Sequence, residues 1–229
     1  MNSLKFFSFR SLLALCIVTA ASNSCDRDDD KINSPTSDKG VVINGVKWAT
    51  RNVDTFGTFA AKPEDFGMLY QWNRKKAWPV TGKVTDWDGS SLTGTQWEII
   101  NDPSPFGWRV PTLEEIETLF DSDKVSNVWT TKNGVKGRKF TDKTSGNSIF
   151  LPATGYRFGG NGNPIGVGSY GGYWSSMQYS DYGNAYPYYL WFDSGNVDWL
   201  YGSANTGWAN DRRSGFSIRA VRNSLFEEL

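Results

Sequence analysis

The sequence predicts a single α+β domain, because it combines one amphipathic helix with a second half rich in β-type segments. The helix is predicted over residues 112–121, TLEEIETLFD, and the β-type segments fall mainly after residue 147. The 205 residues that follow residue 24 are enough for one domain with a substantial core. We find no repeat at the periods of solenoids or propellers.

Ordered structure is predicted to begin with a hairpin over residues 41–49, VVINGVKWA. Asn44 and Gly45 lie between two β-prone arms. Both residue types tolerate the positive φ angles of a tight hairpin turn, so the pair predicts a two-residue loop.

The predicted helix has a start signal and one apolar face. Thr112 and Glu115 have the spacing of a capping box, and Pro111 precedes the cap. The apolar residues recur at helical spacing, so one face is expected to lie on the core. They are Leu113, Ile116, Leu119 and Phe120.

The second half is predicted to form a sheet. Residues 147–152, NSIFLP, indicate a buried strand, and residues 158–172 form a glycine-rich loop. The segments YWSSM, YYLWFD and VDWLYG follow as strands, with a tight turn at residues 194–196 between the last two. Residues 216–222, FSIRAVR, alternate and are expected to close the sheet.

The first 24 residues have the features of a secretory signal peptide. Lys5 and Arg10 precede the apolar stretch 11–22, which is too short to span a membrane as a helix. Cleavage by an ordinary signal peptidase, after a triplet such as Ser22-Asn23-Ser24, would give plain secretion. The favoured alternative is a lipoprotein signal in which Cys25 is lipidated, because an unpaired exposed thiol is a liability in an exported protein.

An acidic run follows Cys25 and resembles the short export signal of Bacteroidetes-type surface lipoproteins, although Arg27 interrupts it. This resemblance implies a lipid-anchored protein of the outer membrane that faces the cell exterior. The predicted organisation is a signal peptide (1–24), a lipidated cysteine and flexible tether (25–40), one domain (41–223) and a tail (224–229). The membrane is thus a predicted partner through the anchor.

Composition excludes several function classes. The chain has no histidine, and its two cysteines, Cys16 and Cys25, precede the domain. Cys–His zinc sites, thiol catalysis and internal disulfides are therefore excluded from the domain. Removal of two basic residues with the signal peptide leaves a net charge of −2. Nucleic-acid-binding domains usually have an excess of basic residues, so this charge argues against a nucleic-acid partner.

Several segments together resemble one family, the Fibrobacter succinogenes major paralogous domain family. They are VVINGVKWATRNVD (41–54), EDFGMLYQWN (64–73), DPSPFGWRVPTLEEIETL (102–119), FLPATGYR (150–157), GGYWSS (171–176) and GFSIRAVR (215–222). Residues 107–119 and 215–221 are also similar to segments of formylglycine-generating enzymes. These resemblances imply a C-type lectin-like domain with short antiparallel sheets, one or two helices and long irregular loops, in a secreted or lipid-anchored protein.

The resemblance also implies a disulfide that this chain lacks. The family has cysteine where this chain has Ser104, and again where it has Ala220. Because both partners are absent together, the two positions are expected to lie close to each other. A missing bridge of this kind costs about 2–4 kcal/mol, so packing is expected to hold the segments together.

No catalytic or metal-binding arrangement stands out, and we expect neither an enzyme nor a cofactor. The pair Glu114 and Glu115 is better explained by the favourable position of acids at a helix start than by glycosidase chemistry. Residues 86–91, DWDGSS, begin like a calcium loop, but the twelfth position is Trp97 rather than glutamate. A polar turn is the favoured interpretation of Asp86 and Asp88.

Aromatic residues next to Asp, Asn and Gly are the candidate ligand-binding residues, because flat rings flanked by polar groups suit sugar faces. Within AYPYYLWF, Tyr186, Tyr188, Leu190 and Phe192 are expected to face one way, and Tyr189 and Trp191 the other. The candidates are Tyr182, Tyr186, Trp191, Trp199, Tyr201 and Trp208.

The sequence thus predicts a non-catalytic recognition module that binds a polysaccharide, a host glycoprotein or another envelope protein. The alternative is a structural subunit of a surface or pilus-type assembly, with the aromatic residues against a protein partner.

Overall fold

The computed structural model describes residues 34–90, 94–181, 184–201 and 212–223. Strands account for 40% of the structure and helices for 7%, so the fold is β-rich and the predicted α+β class is wrong. The expected C-type lectin-like architecture with supporting helices, which belongs to the same prediction, is also wrong. The predicted helix is shorter than its apolar pattern suggested, and an unpredicted hairpin adds two long strands.

Within the described ranges, the strands form four antiparallel sheets. In chain order they are β1 (Val41–Ile43), β2 (Val46–Trp48), β3 (Met68–Gln71), β4 (Ala77–Pro79), β5 (Trp108–Arg109), β6 (Val125–Lys132), β7 (Val135–Asp142), β8 (Ser148–Pro152), β9 (Tyr156–Arg157), β10 (Pro164–Ile165), β11 (Gly171–Asp181), β12 (Asn184–Phe192), β13 (Val197–Tyr201), β14 (Gly215–Phe216) and β15 (Val221–Arg222). Their orders are β1-β2-β15-β5, β10-β9-β14-β3-β4, β6-β7-β8 and β11-β12-β13.

The first hairpin confirms the turn predicted at Asn44 and Gly45. Their φ angles are 45° and 83°, and Ile43 pairs with Val46 across the turn. A second hairpin of the same kind joins β6 to β7 through Asn133 and Gly134.

The α-helix α1 covers Leu113–Glu117 and continues as a single 3-10 turn, Thr118–Phe120. The predicted capping box is confirmed, because the Thr112 hydroxyl accepts from the Glu115 N–H and the Glu115 carboxylate accepts from the Thr112 N–H. Glu115 also binds the Arg109 guanidinium at 2.6 Å. Among the residues described, no helix is long and apolar enough to cross a membrane.

Two buried clusters form the core, and the sheet β11-β12-β13 lies between them. Tyr189 belongs to the first cluster, whereas Leu190 and Phe192 belong to the second. The alternation predicted for β12 is therefore confirmed at its buried end, because neighbouring residues point to opposite faces. The largest fully buried side chains include Trp48, Trp72, Trp174, Tyr173 and Phe216.

The final segment does not form the single closing strand predicted over residues 216–222. It crosses from one sheet to another: β14 pairs with β3 and β9, and β15 pairs with β2 and β5. Residues 214–221 are all buried, so the alternation of polar and apolar types does not mark an exposed face here.

The beginning and the end of the domain are joined directly. The Ala49 N–H donates to the Ala220 carbonyl at 2.8 Å, and the Val53 N–H donates to the Ile218 carbonyl at 3.0 Å. Together with the pairing of β2 and β15, these bonds connect parts of the chain about 170 residues apart.

Candidate ligand-binding surface

The structure describes the side chains of two candidate residues, Trp191 and Tyr186. They lie on opposite faces of β12 and cannot act together in one site. The backbone of Trp199 and Tyr201 lies in β13, opposite Leu190 and Tyr188 respectively. The remaining candidates lie outside the described residues: Cys25, Tyr182 and Trp208.

Trp191 forms a partly exposed aromatic pair with Tyr170. The ring centroids are 4.2 Å apart and the ring planes make an angle of 35°. Tyr156 contacts both rings, at centroid distances of 6.0 Å from Tyr170 and 6.4 Å from Trp191. Tyr156 is itself buried against Phe216 of the first core cluster. The pair is therefore held from below by the core while its outer side reaches solvent.

The glycine-rich loop positions Tyr170. The Gly155 N–H donates to the Tyr170 carbonyl at 2.7 Å, and the Tyr170 N–H donates to the Gly166 carbonyl at 3.2 Å. Gly166 has a φ of 68°, and a Cβ there would lie 2.0 Å from the Tyr170 ring. This close approach requires glycine at residue 166. The backbone of the loop can therefore pack directly against the Tyr170 ring and hold it in place.

Polar groups border the aromatic pair. Asp198 is the residue of β13 directly opposite Trp191, and its side chain is exposed. Opposite Trp191 on β11 lies Gly172, where a Cβ would meet the Phe216 ring at 2.4 Å. An indole with a carboxylate at one side and no side chain at the other offers a flat platform with a hydrogen-bond acceptor at its edge.

The tyrosine hydroxyls at this surface keep their protons. Burial raises the pKa of Tyr170 to about 12, with a smaller contribution from Tyr156. Burial also raises the pKa of Tyr156. Both hydroxyls are therefore neutral near pH 7 and can donate as well as accept hydrogen bonds.

The other face of β12 carries a second set of tyrosines near the end of the β11–β12 hairpin. Tyr186 pairs with Tyr179 across the strands, and both are partly exposed. The rings of Tyr179 and Tyr188 are 6.5 Å apart in an edge-to-face arrangement. These rings form a second candidate surface, separate from the pair of Trp191 and Tyr170.

The acids of the DWDGSS segment are paired with bases. The Lys76 ammonium contacts the Asp86 carboxylate, and this hydrogen bond lowers the pKa of Asp86. Arg74 pairs with Asp88, whose carboxylate also accepts from the Ser90 N–H at 2.9 Å. Across the part of the chain that the structure covers, no cluster of three or more Asp, Glu, Cys or His side chains could hold a metal ion.

A shallow cleft that the sequence did not indicate lies between the loop 54–67 and the strands β3 and β4. Asp54 and Asp65 reach it alongside the apolar residues Phe66, Met68 and Val80. Burial raises the pKa of Asp54, and the nearby charge of Asp65 adds to this effect. Two acids beside an apolar wall have no sequence signal, because the loop brings them together only in the folded chain.

Comparison with known proteins gives one family-model match and no activity. A family model described as a domain of unknown function (DUF8237) matches residues 133–221, from the turn between β6 and β7 to β15. The matched segment includes Tyr156, Tyr170 and Trp191. The chain gave no significant match to curated proteins or to solved structures.

Proposed function

We propose that this protein is a cell-surface lipoprotein whose domain acts as a non-catalytic recognition module for a polysaccharide or glycoprotein. The observation that carries the proposal is the partly exposed pair of Trp191 and Tyr170, 4.2 Å apart and supported by the core. A preformed aromatic platform loses little conformational entropy when a ligand binds. The resemblance of residues 41–223 to secreted and lipid-anchored proteins supports the same assignment.

The chemistry at the platform favours recognition over catalysis. Asp198 and the protonated hydroxyl of Tyr170 supply an acceptor and a donor next to an apolar ring face. Hydroxyl-rich ligands with flat apolar faces, such as sugars, need this combination of groups. The chain also has no histidine, the residue that most often serves as general base.

The proposed location follows from the start of the chain. Lipidation of Cys25 would anchor the protein in the outer membrane, and the acidic residues after it would direct it to the outer face. Cell fractionation with protease shaving tests this location. The Cys25→Ser variant is expected to appear in the medium or periplasm, and an unchanged membrane fraction would contradict the anchor.

A glycan array probed with residues 31–229, with and without calcium, tests recognition. We expect a reproducible hit that Trp191→Ala and Tyr170→Ala each weaken by about tenfold or more, because both remove platform area. Trp129→Ala is the matched control, since this partly buried tryptophan packs against Phe192 on the opposite face of β12. A blank array with folded protein would favour the alternative of a structural subunit that meets a protein partner.

A further inference from the structure

Four large apolar side chains are exposed in the segments 54–58 and 98–107, the second of which contains a 3-10 turn, Ile99–Asn101. We call Phe56, Ile99, Ile100 and Phe106 the loop patch. Their side chains are 56%, 94%, 70% and 85% exposed, respectively. Single exposed apolar residues are ordinary on a protein surface. A group of this size on adjoining segments marks a surface that binds a membrane or another protein.

The two loops that carry the patch are joined by backbone contacts. The Gly57 N–H donates to the Pro103 carbonyl at 2.9 Å, which places the turn at Phe56 beside the segment that leads to Phe106. Beneath them, the rings of Phe59 and Trp108 meet edge to face at 5.6 Å.

A third loop completes the same side. The Asn73 side-chain oxygen accepts from the Glu98 N–H at 2.8 Å, next to Ile99. The Lys75 ammonium lies 5.7 Å from the centre of the Phe56 ring. The loop patch therefore consists of an apolar group with a lysine at its margin.

The described chain begins on this side of the domain. The Phe59 N–H donates to the Pro35 carbonyl at 2.5 Å, three residues from Phe56. Arg51 fixes the same segment, because its guanidinium donates to the Ser37 carbonyl and pairs with Asp38 at 3.1 Å. The buried pair of Arg51 and Asp38 therefore fixes the start of the described chain on this side of the domain.

The chain between the proposed anchor and this point is short. Eight residues lie between Cys25 and Ser34, and a fully extended chain over these nine residue-to-residue steps spans about 30 Å at most. A lipid on Cys25 would hold the side of the domain near Pro35 within that distance of the bilayer. The loop patch is the apolar surface that adjoins this point.

We propose that the loop patch docks onto the lipid bilayer that holds the anchor. Phe56, Ile99, Ile100 and Phe106 enter the boundary between headgroups and acyl chains, with the Lys75 ammonium at the level of the headgroups. Apolar side chains bordered by lysine bind at such a boundary, and the buried area adds to the affinity that the anchor supplies. This inference rests on the anchorage included in the proposed function.

The test places a fluorescent label at single positions of the full chain, produced in cells that process lipoproteins. The positions are Phe106→Cys and Ile99→Cys in the loop patch, with Val128→Cys as the control. Val128 is also apolar and 55% exposed, but it lies in β6. Each purified protein is labelled with a nitrobenzoxadiazole maleimide and reconstituted into phosphatidylcholine–phosphatidylglycerol vesicles that contain lipids with a shallow nitroxide.

We expect the nitroxide lipids to quench the labels at residues 99 and 106 about threefold more strongly than the label at residue 128. Introduction of Ile100→Asp next to the label at residue 99 should abolish that difference, because it places a charge in the boundary. Tryptophan emission of each variant checks that the fold is kept.

Mass spectrometry of Cys25 separates the two proposals. An unmodified Cys25, with protein that does not float with the vesicles, overturns the anchorage and this inference with it. An acylated Cys25 with equal quenching at all three positions overturns the docking alone. A further outcome would be that the cysteines at residues 99 and 106 are protected from the maleimide in native membranes but not in vesicles. That outcome also overturns the docking, and it assigns the loop patch to a protein partner.

Discussion

Arg219 donates from its Nε to the side-chain oxygen of Asn52 at 3.0 Å, inside the core and across 167 residues of sequence. Its other nitrogens donate to the carbonyls of Ala49 at 3.1 Å and Phe150 at 2.9 Å. One buried guanidinium thus joins its own segment to residues 49–52 and to Phe150, and three oxygen acceptors compensate its charge.

Arg219→Met should destabilise the fold by about 3 kcal/mol or more, because it leaves buried oxygens of Asn52, Ala49 and Phe150 without their donor. Equilibrium urea unfolding followed by tryptophan emission measures this change. Lys139→Met, on the exposed side of β7, is the control and should change stability by less than about 0.5 kcal/mol. Similar effects of both variants would show that the buried bonds contribute little.

The hydrogen bonds of the Asp142 carboxylate predict that the fold loses stability in acid. Its carboxylate accepts from the N–H groups of Ser145 at 2.8 Å and Asn44 at 2.7 Å, and these bonds lower its pKa to about 2 from the ordinary 3.8. A lowered pKa means that the charged form stabilises the fold. This contribution is complete above about pH 4 and is lost as the pH falls towards 2.

Asp142→Asn should therefore be less stable than the natural chain at pH 6, with a difference that shrinks between pH 4 and pH 2. Urea midpoints at pH 6, 4 and 2.5 measure this convergence. Asp123→Asn, which changes an exposed acid nearby, is the control. A difference that stays constant with pH would exclude the charge as its cause.

Two glycines of one hairpin should respond differently to substitution by alanine. At Gly137 in β7, a Cβ would lie 2.3 Å from the Leu151 carbonyl oxygen, so the strands must move apart. At Gly134, whose φ is 84°, no atom lies within 4 Å of a Cβ, and the cost is conformational alone. We expect a destabilisation of about 3 kcal/mol for Gly137→Ala and about 1 kcal/mol for Gly134→Ala. Equal losses in urea unfolding would contradict this separation.

The local signals of the sequence predicted local structure well. Asn44 with Gly45 and the capping box at Thr112 need only neighbouring residues, and both are confirmed. The same Asn-Gly signal at residues 133–134 indicates the hairpin of β6 and β7, and it was missed. Without that hairpin the strand content was underestimated, which led to the wrong fold class.

Features that depend on distant contacts could not be predicted. The segment 216–222 alternates like one strand, but it divides between two sheets because β3 and β2 occupy different sheets beside it. Alternation along β12 correctly separated Trp191 from Tyr186. Nothing in the sequence paired Trp191 with Tyr170, since that contact requires the glycine-rich loop to fold back onto the sheet.

The absent disulfide remains a prediction about proximity. Ala220 is buried next to β15, which pairs with β5, and Ser104 precedes β5 by four residues. Ser104→Cys with Ala220→Cys, in a chain whose Cys16 and Cys25 are replaced with serine, should form a bond under oxidising conditions. Mass spectrometry before and after reduction detects it, and two free thiols in the oxidised, folded protein would refute the alignment with the family.

The bonds between residues 49–53 and 218–220 also govern when the domain can fold. The first strands cannot complete their sheet until the last described residues have been synthesised, so a partly synthesised chain lacks the strand β15 that pairs with β2. Long-range pairing of this kind delays closure of the core. A chain that lacks its final strands would therefore stay unfolded, and it would become protease-resistant only once residues 218–220 can pair with residues 49–53.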